Sequence, residues 1–326
     1  MRAIQITRTG GPEVLDLVEI PTPVPGAGEA LVRIEATGVN FIDVYFREGR
    51  YPAPLPFIAG QEAAGVIEAL GPAAAGQAGT LKVGDRVAWC GVRGSYAEYA
   101  SVPTAVLVRV PEAVTSQRAA AAMLQGMTAH YLAFSTYAIQ PGDSVLIHAG
   151  AGGVGLLLIQ IARRLGARIV TTVSTEEKAA LARQAGADEV ILYTKEDFSS
   201  RVRELTHGKG LNAVYDSVGK TTFDGSLACL RPRGTLVLFG GSSGAVPPFD
   251  LIKLSTMGSL FITRPTLKDY TATREELDKR SSDILGWVAD GSLQLRIEHT
   301  YPLAEAAQAH RDLEGRKTTG KILLIP

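Results

Sequence analysis

A glycine-rich turn between an apolar strand and an apolar helix constrains this chain more than any other stretch. The segment from Pro141 to Thr175 reads PGDSVLIHAGAGGVGLLLIQIARRLGARIVTTVST, and Gly150, Gly152 and Gly155 have the spacing G-x-G-x-x-G. In this pattern the first glycine permits a tight turn, the second lets a pyrophosphate approach the backbone, and the third lets helix and strand pack closely. The segment therefore predicts a dinucleotide site, with the pyrophosphate at the helix N-terminus.

The residues after this turn alternate between strand and helix patterns. We expect strands at 168–173, 189–193, 211–215 and 235–239, and helices at 178–184, 198–205 and 222–230. Alternation at this spacing predicts an α/β domain with a doubly wound parallel sheet, in which ligands bind beyond the carboxyl ends of the strands.

The first 125 residues have a different character, because short strand patterns alternate with glycine and proline turns. They predict a compact, partly open β-barrel. An alanine-rich stretch at 116–137 predicts a pair of helices, and the tail returns to β-rich patterns at 259–263, 298–301 and 321–325. We therefore assign residues 1–125 and 265–326 to the first domain, and we expect the dinucleotide-binding domain, residues 126–264, to be inserted within it.

Composition excludes several classes of partner. The 33 basic and 33 acidic residues give zero net charge, so no basic surface for nucleic acid is expected. The most apolar run, Val154 to Ala162, is too short to cross a membrane. Two cysteines, Cys90 and Cys229, and a beginning without a signal-peptide pattern favour the reducing cytoplasm.

The end of the second strand of the dinucleotide domain bears on the choice of nicotinamide cofactor. NAD-selective sites place a carboxylate there to bind the ribose hydroxyls, whereas this strand ends in Ser174 and Thr175. A hydroxyl with Lys178 nearby would attract the 2′-phosphate of NADP(H), and Tyr193 could add a second hydroxyl. The alternative is that Lys178 is an ordinary solvated surface charge.

Seven motifs together resemble those of one family. They are, in order, GGPEVL (10–15), GVNFID (38–43), GQEAAG (60–65), GDRVA (84–88), AGAGGVG (149–155), YDSVG (215–219) and ITRP (262–265). In this order and spacing they resemble the medium-chain dehydrogenase/reductase superfamily, and within it the zinc-free, zeta-crystallin-like NADPH:quinone oxidoreductases. The resemblance covers nearly the whole chain and implies a GroES-like β-barrel domain with an inserted Rossmann domain.

The zinc-dependent members of that superfamily carry a metal-binding Cys where this chain has Asn40. They carry a His-Glu pair where it has Gln61 and Glu62. Amide side chains are poor zinc ligands beside thiolate and imidazole. No two of the five histidines are spaced to share a metal, so we expect no metal site.

The resemblance also implies roles for individual residues. The pyrophosphate is expected to contact Ala151, Gly152, Gly153 and Val154, and the adenosine phosphate Ser174, Lys178 and Tyr193. Near the nicotinamide and its ribose we expect Asn40, Tyr45, Thr128, Ser217, Phe239, Gly240, Gly241, Ser242, Ser243 and Arg264. Lys317 could also approach the cofactor, although Arg264 and Lys317 are equally compatible with surface charges.

The implied reaction is the reduction of a quinone by NADPH, as a hydride or as two single electrons. Candidates for holding the quinone are Tyr45, Tyr51 and Gln61, each of which could equally be packing in the proline-rich loop. The sequence contains no evident dedicated general acid. One alternative is reduction of an activated alkene, such as an enone or enoyl compound. Another is a non-catalytic NADPH-binding structural or RNA-binding protein.

An oligomer is also expected from the sequence. The run from Ser259 to Thr263 is apolar enough to form an exposed edge strand, which proteins seldom leave uncovered. Pairing of two such edges across a two-fold axis predicts a homodimer.

Overall fold

The structure, a computed structural model, describes residues 1–72 and 81–326. The chain divides into two compact units. One comprises Met1–Met127 with Thr271–Pro326, and the other comprises Thr128–Tyr270. The domain boundaries predicted at 125/126 and 264/265 stay predictions.

The strands and helices of the described residues are as follows. The strands are β1 (Arg2–Ile6), β2 (Asp16–Glu19), β3 (Glu29–Val39), β4 (Phe57–Ile58), β5 (Glu62–Leu70), β6 (Arg86–Cys90), β7 (Tyr99–Pro103), β8 (Val108–Arg109), β9 (Ser144–Ile147), β10 (Arg168–Val173), β11 (Glu189–Leu192), β12 (Leu211–Asp216), β13 (Leu230–Leu238), β14 (Phe261–Thr263), β15 (Ile297–Pro302) and β16 (Lys321–Ile325). The helices are α1 (Phe41–Arg47), α2 (Ser116–Tyr131), α3 (Gly153–Arg164), α4 (Glu176–Ala185), α5 (Phe198–Leu205), α6 (Phe223–Ala228), α7 (Ile252–Thr256), α8 (Arg274–Ala289) and α9 (Ala306–Glu314).

The unit of residues 128–270 is built on a parallel sheet. Its described strands follow the order β11-β10-β9-β12-β13-β14, and every neighbouring pair runs parallel. Strand β9 is fully buried over Val145, Leu146 and Ile147, because helices cover both faces of such a sheet. Strand order reverses on either side of β9, so its carboxyl end lies at a topological switch point, where ligands bind in open α/β sheets. The predicted doubly wound fold is confirmed.

The other unit is a β-rich structure around the long strand β3. Strand β3 pairs antiparallel with β5, β7 and β16, and its alternate residues Ala30, Val32 and Ile34 enter an apolar core. The strand β16 from the tail pairs Ile322 with Val39. That register brings Lys321, which precedes Ile322, next to the residue that follows β3.

Two local predictions differ from the structure. The stretch 116–137 forms one helix, α2, followed by a π-helical turn at Leu132–Thr136, since no proline interrupts it. Strand β13 begins at Leu230 rather than at 235. The segment Pro232-Arg233-Gly234, which precedes the predicted start, forms an irregularity inside the strand, where Arg233 has a φ of 62°.

None of the helices in the described residues combines the length and the apolar character that crossing a bilayer demands.

Candidate active site

The glycine turn follows β9 and has the geometry that its spacing predicts. A Cβ on Gly150 would lie 2.1 Å from Thr171 Oγ1, and one on Gly155 would lie 2.3 Å from the carbonyl oxygen of Ala149. Both contacts are far shorter than van der Waals distance, and the second is with backbone. Packing of β9, β10 and α3 therefore requires glycine at these two positions.

The middle glycine is not required by internal packing in the same way. A Cβ on Gly152 would meet the carbonyl oxygen of Ala149 at 3.2 Å, a contact that small shifts relieve. Gly152 is the N-cap of α3, and in the described chain no side chain of the N-cap residue accepts a hydrogen bond from the first-turn N–H groups. Open backbone and a helix N-terminus fit a dinucleotide pyrophosphate.

The end of β10 carries hydroxyls and a lysine. Thr175 caps α4 by accepting a hydrogen bond from the N–H of Lys178 at 3.3 Å, which places Lys178 in the first turn of that helix. Glu176 forms an exposed ion pair with Lys195 at 3.2 Å. Ser174 is partly exposed and Tyr193 is 40% exposed, so these side chains are accessible to a ligand.

A buried polar network at the carboxyl ends of three strands escaped the sequence analysis. Asp216 accepts hydrogen bonds from the N–H groups of Val218 and Gly219, at 2.8 and 3.0 Å, and from the hydroxyl of Ser226 at 2.8 Å. His148 lies 3.0 Å from that hydroxyl and 2.8 Å from Thr172 Oγ1. Burial lowers the pKa of His148, against the opposing charge of Asp216. The network fixes the strand ends around the glycine turn.

The loop after β13 packs on the turn after β12, which brings several predicted residues together. A Cβ on Gly240 would lie 2.4 Å from the carbonyl oxygen of Ser217. The Ser243 hydroxyl donates to the carbonyl of Val218 at 2.8 Å. Arg264, which follows β14, donates to the carbonyl of Leu238 at 3.0 Å. The remaining predicted members of this loop, Phe239, Gly241 and Ser242, are partly exposed.

In the β-rich unit, Asn40 belongs to a buried cluster with Glu62 and Lys321. The Lys321 ammonium forms an ion pair with Glu62 and donates to Asn40 Oδ1 at 2.9 Å. Asn40 Nδ2 donates to the Glu62 carboxylate at 2.8 Å, and so does the N–H of Leu124 at 2.6 Å. Because its oxygen accepts from an ammonium and its nitrogen donates to a carboxylate, the Asn40 amide has one orientation.

This cluster tests whether a metal fits the positions at which zinc-dependent relatives carry ligands. The donors are two amides, of Asn40 and Gln61, and a carboxylate already paired with Lys321. A lysine ammonium among the donors repels a cation. Across the described residues, no group of three or more His, Cys, Asp or Glu side chains is arranged to hold a metal ion. The side chains present do not fit zinc.

A second buried chain of hydrogen bonds begins at Asp43, in the first turn of α1. Asp43 Oδ2 accepts from the Asn40 N–H at 2.9 Å and from the Tyr96 hydroxyl at 3.0 Å. Tyr96 lies 3.2 Å from His310 Nε2, and Arg47 lies 3.0 Å from His310 Nδ1. Burial and the charge of Arg47 lower the pKa of His310 to about 3. The histidine is therefore neutral at ordinary pH.

The predicted acceptor-binding residues lie at α1 and in the loop after it. The rings of Tyr45 and Tyr51 meet edge to face, with centroids 5.5 Å apart, and Arg50 lies over the Tyr45 ring at 5.4 Å. Tyr51 is 37% exposed, whereas Tyr45 and Gln61 are buried.

Two further residues predicted to contact the cofactor, Lys317 and Thr128, differ from each other in exposure. The Lys317 ammonium is 3.6 Å from Asp312, and its side chain is 73% exposed. Thr128 is 8% exposed.

Asn40 and Gln61 are among the site residues predicted from the sequence, whereas Lys321, Asp43 and the Tyr96–His310 pair are not. One signal was available for Lys321, since a lysine opens the otherwise apolar strand KILLI. A charged side chain in a buried strand is stable only when it is paired with an opposite charge and hydrogen-bonded.

We predict that the buried ion pair is essential for stability. Lys321→Met leaves the fully buried Glu62 carboxylate without its counter-charge, which we expect to lower the free energy of unfolding by about 3–5 kcal/mol. The double variant Lys321→Met with Glu62→Gln removes both charges and is expected to recover much of that loss. Urea unfolding at pH 7 measures both values.

Lys317→Met is the matched control, because it removes an exposed lysine with an acidic partner from the same tail. We expect it to cost about 1 kcal/mol or less. A Lys321→Met loss no larger than that of the control would contradict the prediction.

Comparison with known proteins agrees with this architecture. Residues 26–112 match the family described as alcohol dehydrogenase GroES-like domain, and residues 153–279 match the family described as zinc-binding dehydrogenase. A quinone oxidoreductase from Pseudomonas aeruginosa is 46% identical, over 100% of this chain and 99% of that protein. A 2-haloacrylate reductase from a Burkholderia species is 43% identical, over 99% of this chain and 98% of its own.

Solved structures of related proteins have the same fold over the full length of the chain. The crystal structure of Escherichia coli quinone oxidoreductase complexed with NADPH superposes with a TM-score of 0.96 at 43% identity, covering all of both chains. Relatives this similar over the full length show that the chain belongs to the quinone oxidoreductase family of the medium-chain dehydrogenases/reductases.

Proposed function

We propose that this chain is an NADPH-dependent oxidoreductase that reduces quinones. The observation that carries the proposal is the glycine turn at 150–155, which fits a pyrophosphate, in a full-length relative of quinone oxidoreductases. One solved relative, from Escherichia coli, is a complex with NADPH.

For the cofactor, we propose that Ala151, Gly152, Gly153 and Val154 bind the pyrophosphate through backbone N–H groups. The adenosine phosphate would lie against Ser174, Lys178 and Tyr193. The absence of a carboxylate at the end of β10 supports NADPH over NADH. For the nicotinamide end we propose Asn40, Thr128, Ser217, Phe239, Gly240, Gly241, Ser242, Ser243, Arg264 and Lys317.

For the acceptor, we propose Tyr45, Tyr51 and Gln61 as the residues that hold the quinone. Bound NADPH supplies the reducing equivalents, as hydride or as two electrons in sequence. The chain contributes orientation: Lys321 and Glu62 fix the Asn40 amide, and the tyrosine pair offers an aromatic surface for stacking.

A second candidate function is the reduction of activated alkenes. The support is the 2-haloacrylate reductase relative, which is as similar to this chain as the quinone oxidoreductase from Escherichia coli. Both reactions use an electron-poor acceptor with an oxygen conjugated to the reduced position.

For location we propose the cytoplasm. Cys90 and Cys229 are both free thiols, as is usual in reducing compartments.

We also propose a homodimer formed through β14. This strand is at the edge of the parallel sheet, and Phe261 is 60% exposed on it. Nearby in sequence, Leu251 and Ile252 are 72% and 70% exposed. A second copy of the chain across a two-fold axis would cover this apolar edge.

The catalytic proposal is tested by measuring NADPH oxidation at 340 nm with two acceptors. We expect faster turnover, per active site, with 1,2-naphthoquinone than with a vinyl ketone. A higher kcat/KM for the vinyl ketone would favour the alkene reductase. Tight NADPH binding without turnover on either acceptor would favour a non-catalytic role.

The cofactor preference is tested with Lys178→Ala. Loss of the ammonium removes an attraction for the 2′-phosphate, so we expect the KM for NADPH to rise about tenfold, equivalent to about 1.4 kcal/mol, with the KM for NADH unchanged. Lys209→Ala is the control, because Lys209 precedes β12 and lies at the opposite, amino end of the sheet. An unchanged KM for NADPH in Lys178→Ala would overturn the assignment.

The homodimer is tested by sedimentation velocity at micromolar concentration. We expect a dimer for the wild type and a shift toward monomer for Phe261→Glu, because a carboxylate at the edge opposes burial. Leu17→Glu changes a 45% exposed leucine on β2 and should leave the dimer intact. A monomeric wild type would contradict the proposal.

A further inference from the structure

A recess in the β-rich unit lies beside the cluster of Asn40 and Glu62. Asp43 and Gln61 line it together with two aromatic rings, of Phe46 and Phe57, and the guanidinium of Arg93. Its volume, including the part open to solvent, is about 170 Å³. Arg93 is exposed and lies over both rings, 5.1 Å from the centroid of Phe46 and 5.7 Å from that of Phe57.

Two polar atoms that belong to residues lining this recess lack partners. Asp43 Oδ1 and Gln61 Nε2 are buried and make no hydrogen bond to any other described residue, and their residues are only 4% and 5% exposed. The recess is too narrow in this conformation for a water molecule. An unsatisfied buried polar atom costs about 1–3 kcal/mol. A ligand oxygen that enters the recess and accepts hydrogen bonds from both groups removes this cost.

Hydrogen bonding determines which oxygen of Asp43 carries a proton. Arg47 can only donate, so His310 Nδ1 accepts from it and the His310 proton lies on Nε2, facing Tyr96. The Tyr96 hydroxyl then donates to Asp43 Oδ2, which also accepts from the Asn40 N–H. With Oδ2 occupied as an acceptor, Oδ1 is the atom that binds and releases the proton.

The environment of Asp43 brings its pKa close to neutrality. Burial, together with the charge of Glu62, raises the pKa of Asp43 to about 7. The Asn40 and Tyr96 hydrogen bonds and the charge of Lys321 oppose this rise. His310, which faces Tyr96, is neutral, and Arg93 is the remaining charged group that lines the recess.

We propose that Asp43 is the proton donor of the reaction, with the recess as the subsite for one oxygen of the quinone. This inference rests on the proposed function. A quinone that has accepted a hydride is a hydroquinone anion. The Asp43 O–H bond breaks, its proton forms the second O–H bond of the hydroquinone, and the carboxylate takes a new proton from water. Gln61 Nε2 donates to the same oxygen. Because the recess is too narrow in this conformation, admission of the oxygen requires the exposed Arg93 side chain to move.

The direct test is Asp43→Asn, which keeps an acceptor for the Asn40 and Tyr96 donors but carries no transferable proton. We expect kcat with 1,2-naphthoquinone to fall by about 10²-fold, the lower end for general acid catalysis, with the KM for NADPH unchanged. Wild-type kcat should be constant at low pH and fall tenfold per unit above about pH 7, where the donor is ionised. Asp43→Asn should lose this inflexion.

Tyr96→Phe separates a chemical role from a structural one. Removing a hydrogen bond that stabilises the carboxylate raises the pKa of Asp43, so the inflexion of kcat should move up by about one pH unit. Gln61→Leu is the matched binding variant: we expect a higher KM for the quinone and an unmoved inflexion.

The outcomes distinguish this inference from the proposed function. If the wild type reduces no quinone, the proposed function fails first. If it reduces quinones but Asp43→Asn keeps the wild-type kcat and pH profile, or Tyr96→Phe leaves the inflexion in place, Asp43 is not the proton donor.

Discussion

The buried ion pair between Lys321 and Glu62 is the interaction on which the β-rich unit depends. Two charges withdrawn from water are stable only when paired and hydrogen-bonded, and here Asn40 and the N–H of Leu124 complete the set. The pair joins β16 from the tail to β5, and through Asn40 it reaches the start of α1. A strand 259 residues away in the chain thus fixes the residues on which the candidate site is built.

The same cluster explains how the positions of Asn40, Gln61 and Glu62 differ from the corresponding positions of a metal-binding relative. A metal site supplies a positive charge that holds its ligands together. In this chain the ammonium of Lys321 supplies a positive charge among the side chains at those positions. The charge is neutralised by Glu62, so its effect is to orient the Asn40 amide, whose backbone N–H donates to the buried carboxyl of Asp43.

The sequence predicted those parts of the molecule that depend on neighbours in the chain. Residues a few positions apart encode each of three features: the glycine turn, the parallel sheet and the serine at the end of β10. The structure has all three. The start of β13 was predicted at 235 instead of Leu230, because pairing of Leu230 with Leu211 of β12 extends the strand. The second helix predicted within 116–137 is a π-helical turn that continues from α2. Lys321 was missed because its partners are remote in sequence.

This difference explains why the cofactor class was easier to predict than the acceptor. A dinucleotide is bound largely by backbone N–H groups, and the glycines that expose such groups leave a local pattern. The recess at Asp43 is lined by residues of α1 and of the segments before β5 and β7. Asp43 is hydrogen-bonded to Tyr96, which lies 3.2 Å from His310 of α9. No spacing rule connects such segments. Their relation follows only from the sheet register and from two buried polar atoms without partners, which are the strongest indication that this unit binds an oxygen-bearing ligand.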